Sequence, residues 1–208
     1  MLSKPSSHGA QRIGAFIVGV LLGAGPARSH EAEPTIEPQA SGPYATAESA
    51  FVAVFIESGL GRRAYRENLE YAAALYQLAD GSWRSTRVRV GTCDGSLIPY
   101  SWVPAAAVRI VGAHTHGQPR LAEDPDRVYG TDFSAADRRN AEHNFRLTQG
   151  RIGGQLLLSS ELKILRLSRR SATRMAPAAP EQDASSPWTT ETLGRIDQES
   201  GLLTAAAN

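Results

Sequence analysis

With one cysteine in 208 residues, Cys93, no disulfide can form within the chain and none can staple the fold. That scarcity is compatible with an oxidising compartment, provided stability comes from packing alone. No sign of charge dominates either: 22 Lys and Arg stand against 21 Asp and Glu, a net of +1. So weak a field argues against nucleic acid or an anionic surface as partner. No internal repeat is visible. Past the N-terminal segment, no apolar run is long enough to cross a bilayer. What is present is 41% apolar residues, enough for one compact domain with its own core and not comfortably for two.

Residues 1–29 read as a signal peptide. Lys4 and Arg12 make a positive start, Ile13 to Ala24 is an apolar run short of a full span, and Ala27-Arg28-Ser29 offers a small-x-small cleavage pattern. The competing reading is an uncleaved anchor. Both place the remainder outside the cytoplasm, periplasmic or secreted, without a stable membrane span once the signal is removed. Taking the segment's three bases from the 22 leaves 19 against 21 acids, an ordinary soluble surface.

Residues 30–45, rich in Glu, Pro, Ser and Gly, predict a flexible leader. Thr46 is placed to cap a helix reaching about Ser58, with Phe51, Val54, Phe55 and Ser58 on one stripe and Gly59 and Gly61 ending it. Leu69 to Leu78 and Ser82 to Val90 predict a hairpin around Asp80-Gly81, the second strand alternating Thr86, Val88 and Val90 against Arg87 and Arg89. Gly91 to Ser101 reads as loop with a short strand at its end. Ala105 to His114 is a short apolar run suited to a buried strand. Gly117 to Phe133 is a polar loop, Ser134 opens a helix to about Thr148, and Gly153–Ser159 with Leu162–Ser168 make a second hairpin. Residues 171–208 predict a loose tail with a docking segment near Trp188. The pattern is that of a single α/β (α+β) domain over residues 46–170.

The chemistry concentrates in two short stretches. His114 and His116 flank one residue at a strand end, so both imidazoles face the same side, as two ligands of a first-row metal must. Further on, Phe133-Ser134-Ala135-Ala136-Asp137 has the form of a capping box at a helix start. Such a cap holds Asp137 rigidly one turn in, where a carboxylate ligand is useful. Taken singly, the histidines fit a loop pair and the serine and aspartate an ordinary cap.

Taken together, the order Gly-Ala-His114-Thr-His116-Gly and then Ser134-x-x-Asp137 resembles the signature of the JAB/JAMM (MPN-type) metallopeptidase family. It looks closest to JAB-like domains of bacterial secreted and toxin-associated proteins. The resemblance covers roughly Ala47 to Leu167 and implies a mixed sheet flanked by helices. It implies Zn2+ held by His114, His116 and Asp137, with a fourth position left to water. It also implies Glu70 as general base then acid, Ser134 as donor to an oxyanion, and hydrolysis of peptide or isopeptide bonds. Glu57 and Glu67 compete for the place of Glu70. Two departures stand out. Gly117 replaces the usual proline after the second histidine, and the 17 residues 117–133 make a longer connection than the family's. A loop grows cheaply, so the insertion bears on substrate choice more than on metal binding.

Other metal-site classes fit less well. A cupin shares the HxH, with Glu123 and Gly130 following, but too few strands are readable. Zinc deaminases need cysteines, no HExxH helix exists, and about 250 residues are typical of a (β/α)8 barrel. A metal-binding interaction module without catalysis is the alternative to a secreted zinc hydrolase. His143 reads as a surface histidine and Cys93 as a loop thiol. Tyr71, Tyr76 and Trp83 read as core or sheet-face residues, and Arg166, Arg169 and Arg170 as an edge-protecting cluster. Exported placement favours a peptide or protein substrate such as a cell-envelope peptide.

Overall fold

The first helix starts where the sequence predicts. The Thr46 hydroxyl accepts the Ser49 amide at 3.0 Å while the Ser49 hydroxyl accepts the Thr46 amide at 3.0 Å, closing a reciprocal cap. Helix α1 (Ala47–Phe51) runs directly into π-helical turns over Val52–Glu57, burying Phe51, Val54 and Phe55. In this computed structural model the described residues are 35–36, 42–121, 128–170, 186–197 and 202–206. The signal segment, most of the leader, residues 171–185 and the acids Glu123, Asp124 and Asp126 lie outside them.

Gly59 and Gly61 do not both end helical structure. Gly59 adopts a left-handed φ of 77° and turns the chain, and helix α2 (Leu60–Glu67) begins at once. Gly61 lies inside α2 because a Cβ there would run into the Leu158 side chain and sit 3.0 Å from the Phe55 carbonyl oxygen. It is a close-approach glycine, and spacing alone cannot separate that role from termination.

The sheet contains β1 (Thr35–Ile36), β2 (Tyr71–Gln77), β3 (Trp83–Ser85), β4 (Val88–Val90), β5 (Arg109–Thr115), β8 (Ile152–Leu158), β9 (Lys163–Arg169), β10 (Trp188–Ile196) and β11 (Leu203–Ala205). A separate two-stranded ribbon pairs β6 (Arg120–Leu121) with β7 (Val128–Tyr129) inside the long polar loop. The main order is β1-β4-β2-β5-β8-β9-β10-β11, with β3 pairing beside β2. The Asp80-Gly81 turn closes the predicted hairpin, with the Leu78 amide donating to the Ser82 carbonyl at 2.9 Å. Its second arm is not one strand. The Thr86 hydroxyl accepts the Ala74 amide and donates to the Arg87 carbonyl, so a side chain takes a ladder position and the arm breaks into β3 and β4.

Strand β5 is central, antiparallel to β2 and parallel to β8. A parallel neighbour requires a crossover, and helix α3 (Ala135–Leu147) supplies it. Alternation along β5 then sorts the two faces. Val111 and Ala113 join the core under α1 and α2 with Phe51, Phe55, Leu75 and Leu156. Ile110, Gly112 and His114 share the other face. There, Phe133, Ala141, Leu157 and Leu165 pack beneath α3, and Ile98, Tyr100 and Val103 cover Ala74 and Ile110. The short strand expected before Trp102 is a 3-10 turn over Tyr100–Trp102.

The tail is not loose throughout. Nine residues, Trp188–Ile196, pair antiparallel with β9 from Trp188↔Arg169 to Arg195↔Lys163. The buried Trp188 meets Phe145 edge-on at 6.0 Å and donates its indole N–H to Glu142 at 2.8 Å. Since β9 has a neighbour on each side, Arg166 guards no edge. It bridges Glu48 and Glu191 at 2.9 and 2.5 Å. The described residues form one compact unit of mixed α/β structure.

Candidate metal centre

His114 is the penultimate residue of β5 and His116 directly follows the strand. The side chain of Thr115 between them is fully buried, and its hydroxyl accepts the Tyr71 amide at 3.0 Å. That bond ties the end of β5 to the start of β2. The two imidazoles lie on the α3 side with ring centroids 5.1 Å apart, and Phe133 meets His114 at 5.9 Å. Only 5% of the His114 side chain and 10% of that of His116 reach solvent.

The third group comes from the predicted cap. Ser134 accepts the Asp137 amide at 3.1 Å, and Asp137 Oδ2 accepts both the Ser134 amide at 2.8 Å and its hydroxyl at 2.7 Å. With Oδ2 so held, Oδ1 stands 3.6 Å from His114 Nε2, and Oδ2 stands 4.0 Å from His116 Nε2. Potential ligand atoms of His114, His116 and Asp137 all lie within 4.8 Å of one another. Ligands of a tetrahedral ion with bonds of about 2.0–2.1 Å are roughly 3.4 Å apart, so a small closure would suffice.

The donor chemistry fits a cation. Among the described residues, neither ring nitrogen of the buried His114 has a hydrogen-bond partner. A nitrogen left so at the end of an otherwise well-bonded strand is costly unless a ligand takes its lone pair. Burial, opposed by the Asp137 charge and reinforced by His116, pushes the His114 pKa down to about 4. The ring is therefore neutral at pH 7, the form that binds metal. Burial tends to raise the Asp137 pKa, but His114, the two Ser134 hydrogen bonds and His116 outweigh it and hold the carboxyl below its ordinary value. Two imidazoles and one carboxylate make a site that could hold a metal ion.

His116 has an outer support that residue types alone do not reveal. Its Nδ1 lies 2.9 Å from the Gly130 carbonyl oxygen, which also accepts the Ser160 amide at 2.8 Å. A carbonyl can only accept, so Nδ1 carries the proton and Nε2 is left free on the Asp137 side. Gly130 aims that carbonyl from a φ of 91°, and a Cβ would lie 3.1 Å from Ser160 Oγ. If the group holds a metal ion, Gly130→Ala is expected to weaken its affinity about 10- to 100-fold, the scale of outer-shell losses. Competition with a chromophoric chelator measures it. The departure at Gly117 is explained as well: a Cβ there would come 3.0 Å from the Asn68 carbonyl carbon, while Asn68 Oδ1 accepts the Gln118 amide at 3.0 Å.

A cavity of about 730 Å³ opens beside the group, lined by Glu70, His116, Ser134 and Asp137 among others. Glu70 immediately precedes β2, where its amide donates to the Thr92 carbonyl at 2.9 Å and its own carbonyl accepts the Gly91 amide at 2.8 Å. It is half-buried and belongs to the same cavity as the ligand candidates. Its rivals are elsewhere. Glu57 is exposed at the end of the π-helical turns, and Glu67 is held by Arg63 at 2.9 Å and by the Tyr71 hydroxyl at 3.1 Å. Cys93 is an exposed thiol on the loop that forms part of the cavity lining. His143 is exposed on α3.

No family model, curated protein or solved structure matches the chain, and the site stands on its own geometry.

The buried histidine predicts an acid weakness of the metal-free protein. His114 titrates near 6.5 when unfolded and at about 4 when folded, so the unfolded chain binds the extra proton between those values. Stability is then lost as pH falls from about 6.5 to 4, by roughly 3 kcal/mol at most. Urea midpoints across that window are expected to drop in metal-free wild type and to stay flatter in His114→Ala.

Proposed function

We propose that the chain is a zinc-dependent hydrolase of peptide or isopeptide bonds of the JAB/JAMM type, acting outside the cytoplasm. What carries the reading is one juxtaposition. Two imidazoles and a carboxylate converge within 4.8 Å, and Glu70 and Ser134 line the cavity into which they open. The central mixed sheet with helices on both faces agrees with the fold this family implies.

In this reading His114 Nε2, His116 Nε2 and Asp137 hold the ion, and one position stays open. Bound zinc would polarise a substrate carbonyl and make a water acidic near neutral pH. Glu70 takes the proton from the attacking water and returns it to the departing amine. Ser134 has two tasks. Its amide keeps hold of Asp137 Oδ2, which lets the hydroxyl turn towards the oxygen that gains charge. An apolar-rich cavity between the 91–97 loop and the start of α3 receives the chain to be cut, and cell-envelope peptides are the substrate class that an exported location favours.

The test is incubation of the zinc-loaded protein with a library of peptides, isopeptides and muropeptides, reading new amine termini. Release of amines supports the hydrolase. Zinc uptake with no release across the library favours the second reading, a metal-binding interaction module, for which the buried ligand set alone is sufficient.

A further inference from the structure

His116 has the Gly130 carbonyl to fix its ring, whereas the Nδ1 of His114 has no partner although it is the more buried of the two. Two further buried polar atoms without partners belong to residues on the same face of the sheet: the Tyr100 hydroxyl and Gln155 Oε1. The Tyr100 hydroxyl and the Gln155 side-chain stem both approach Gly112, two residues before His114. A Cβ on Gly112 would collide with the Tyr100 hydroxyl, come 2.6 Å from Ile98 Cδ1 and lie 3.3 Å from Gln155 Cγ. In the sheet, Gly112 pairs directly with Gln155 across the parallel β5–β8 ladder.

Glycine in mid-strand weakens a strand and marks a close approach. Here the group approaching is a phenol oxygen that the 3-10 turn carries down onto the sheet. Burying that hydroxyl unpaired is costly, and phenylalanine would avoid the cost. Gln155 is also fixed in sense. Its amide nitrogen donates to the Asp137 carbonyl at 3.3 Å, so the oxygen is the end left to accept. Tyr100 stays protonated, because burial and the Asp137 charge both raise its pKa, so its hydroxyl is left to donate.

We propose that Tyr100 and Gln155 are positioning residues for His114, meeting its Nδ1–H at one buried water under Gly112. The hydrogen bonds balance: the water accepts from His114 Nδ1–H and the Tyr100 hydroxyl, and donates to Gln155 Oε1. Buried waters typically make about three hydrogen bonds to polar groups that are otherwise unsatisfied. It fixes the tautomer that frees Nε2 towards Asp137, the counterpart for His114 of what Gly130 does for His116. This inference rests on the metal-centre reading.

Tyr100→Phe removes the donor and keeps the ring. Zinc affinity, measured by chelator competition, is expected to fall about 10-fold, while the melting temperature of the metal-free form does not fall. Gln155→Met, which removes the acceptor at similar length, is expected to show the same loss and serves if the first variant folds poorly. Unchanged zinc affinity in both variants overturns the proposal. So does an affinity loss matched by an equal loss of metal-free stability, since that marks a packing role alone. A wild type that takes up no zinc overturns the metal centre itself, and this reading with it. Zinc uptake by wild type, with variants equal to it, overturns this one only.

Discussion

In the zinc hydrolase proposed above, Glu70→Gln is expected to keep the full zinc content of the wild type and to lose hydrolysis by about 10²- to 10⁴-fold, the range for removal of a general base. The reason is position. Glu70 lines the cavity but is not one of the three groups whose ligand atoms cluster, so the amide leaves the ligand set intact. The exchange also conserves shape at a backbone fixed by the Thr92 and Gly91 pairing, so the cavity wall is kept. Zinc analysis and amine release, measured on one preparation, check both halves. If the variant hydrolyses the library as fast as wild type, Glu70 is not the base. If it loses zinc as well, Glu70 belongs to the ligand set and its assignment changes.

His114→Ala has the second large effect. Dividing an apparent zinc-binding energy of about 10–16 kcal/mol among four ligands gives about 3 kcal/mol each, roughly a 100-fold loss or more. A structural origin is separable from a ligand role. Among the described residues no group bonds the buried His114 ring, so alanine removes packing without leaving a protein partner stranded. The metal-free variant is therefore expected to melt close to metal-free wild type. Added zinc at 100 times its dissociation constant should stabilise wild type by about 2.7 kcal/mol and the variant hardly at all. A calorimetric scan with and without zinc reads the difference. An equal zinc-induced shift in both proteins would sink His114 as a ligand.

The parts of the fold that were legible in sequence are those fixed by local chemistry. Thr46 and Ser134 cap their helices through hydroxyls that reach only three residues along, and Asp80-Gly81 closes its hairpin without help from distant contacts. What sequence reading missed depends on contacts far along the chain. Gly61 is dictated by Leu158, nearly a hundred positions away, and the break at Thr86 by the Ala74 backbone. Strand β10 was hidden by its surroundings. Trp188, Thr189, Thr190 and Thr192 favour a strand, but the Ala, Pro and Ser content around them averages that signal away. The same divide runs through the site. His114, His116, Asp137, Ser134 and Glu70 carry chemistry in their side chains and could be named at the outset. Gly130 acts through a backbone carbonyl, which no residue type advertises. Gln155 did leave a trace, as the one amide within the apolar run Ile152–Leu158.

All three ligand candidates belong to one strand–helix–strand crossover, two at its first strand and one at the start of its helix. The span between them begins and ends on rigid elements, with the β6–β7 ribbon part-way. Chain can therefore be added to or taken from the middle of that span while both anchors stay put, at about 0.6 kcal/mol for each doubling of its length. The three candidate ligand positions are thus set by sheet and helix, while the chain between them is the part that tolerates a change of length. Lengthening or trimming the middle of that chain is expected to reshape the surface beside the site and to leave the three side chains where they stand.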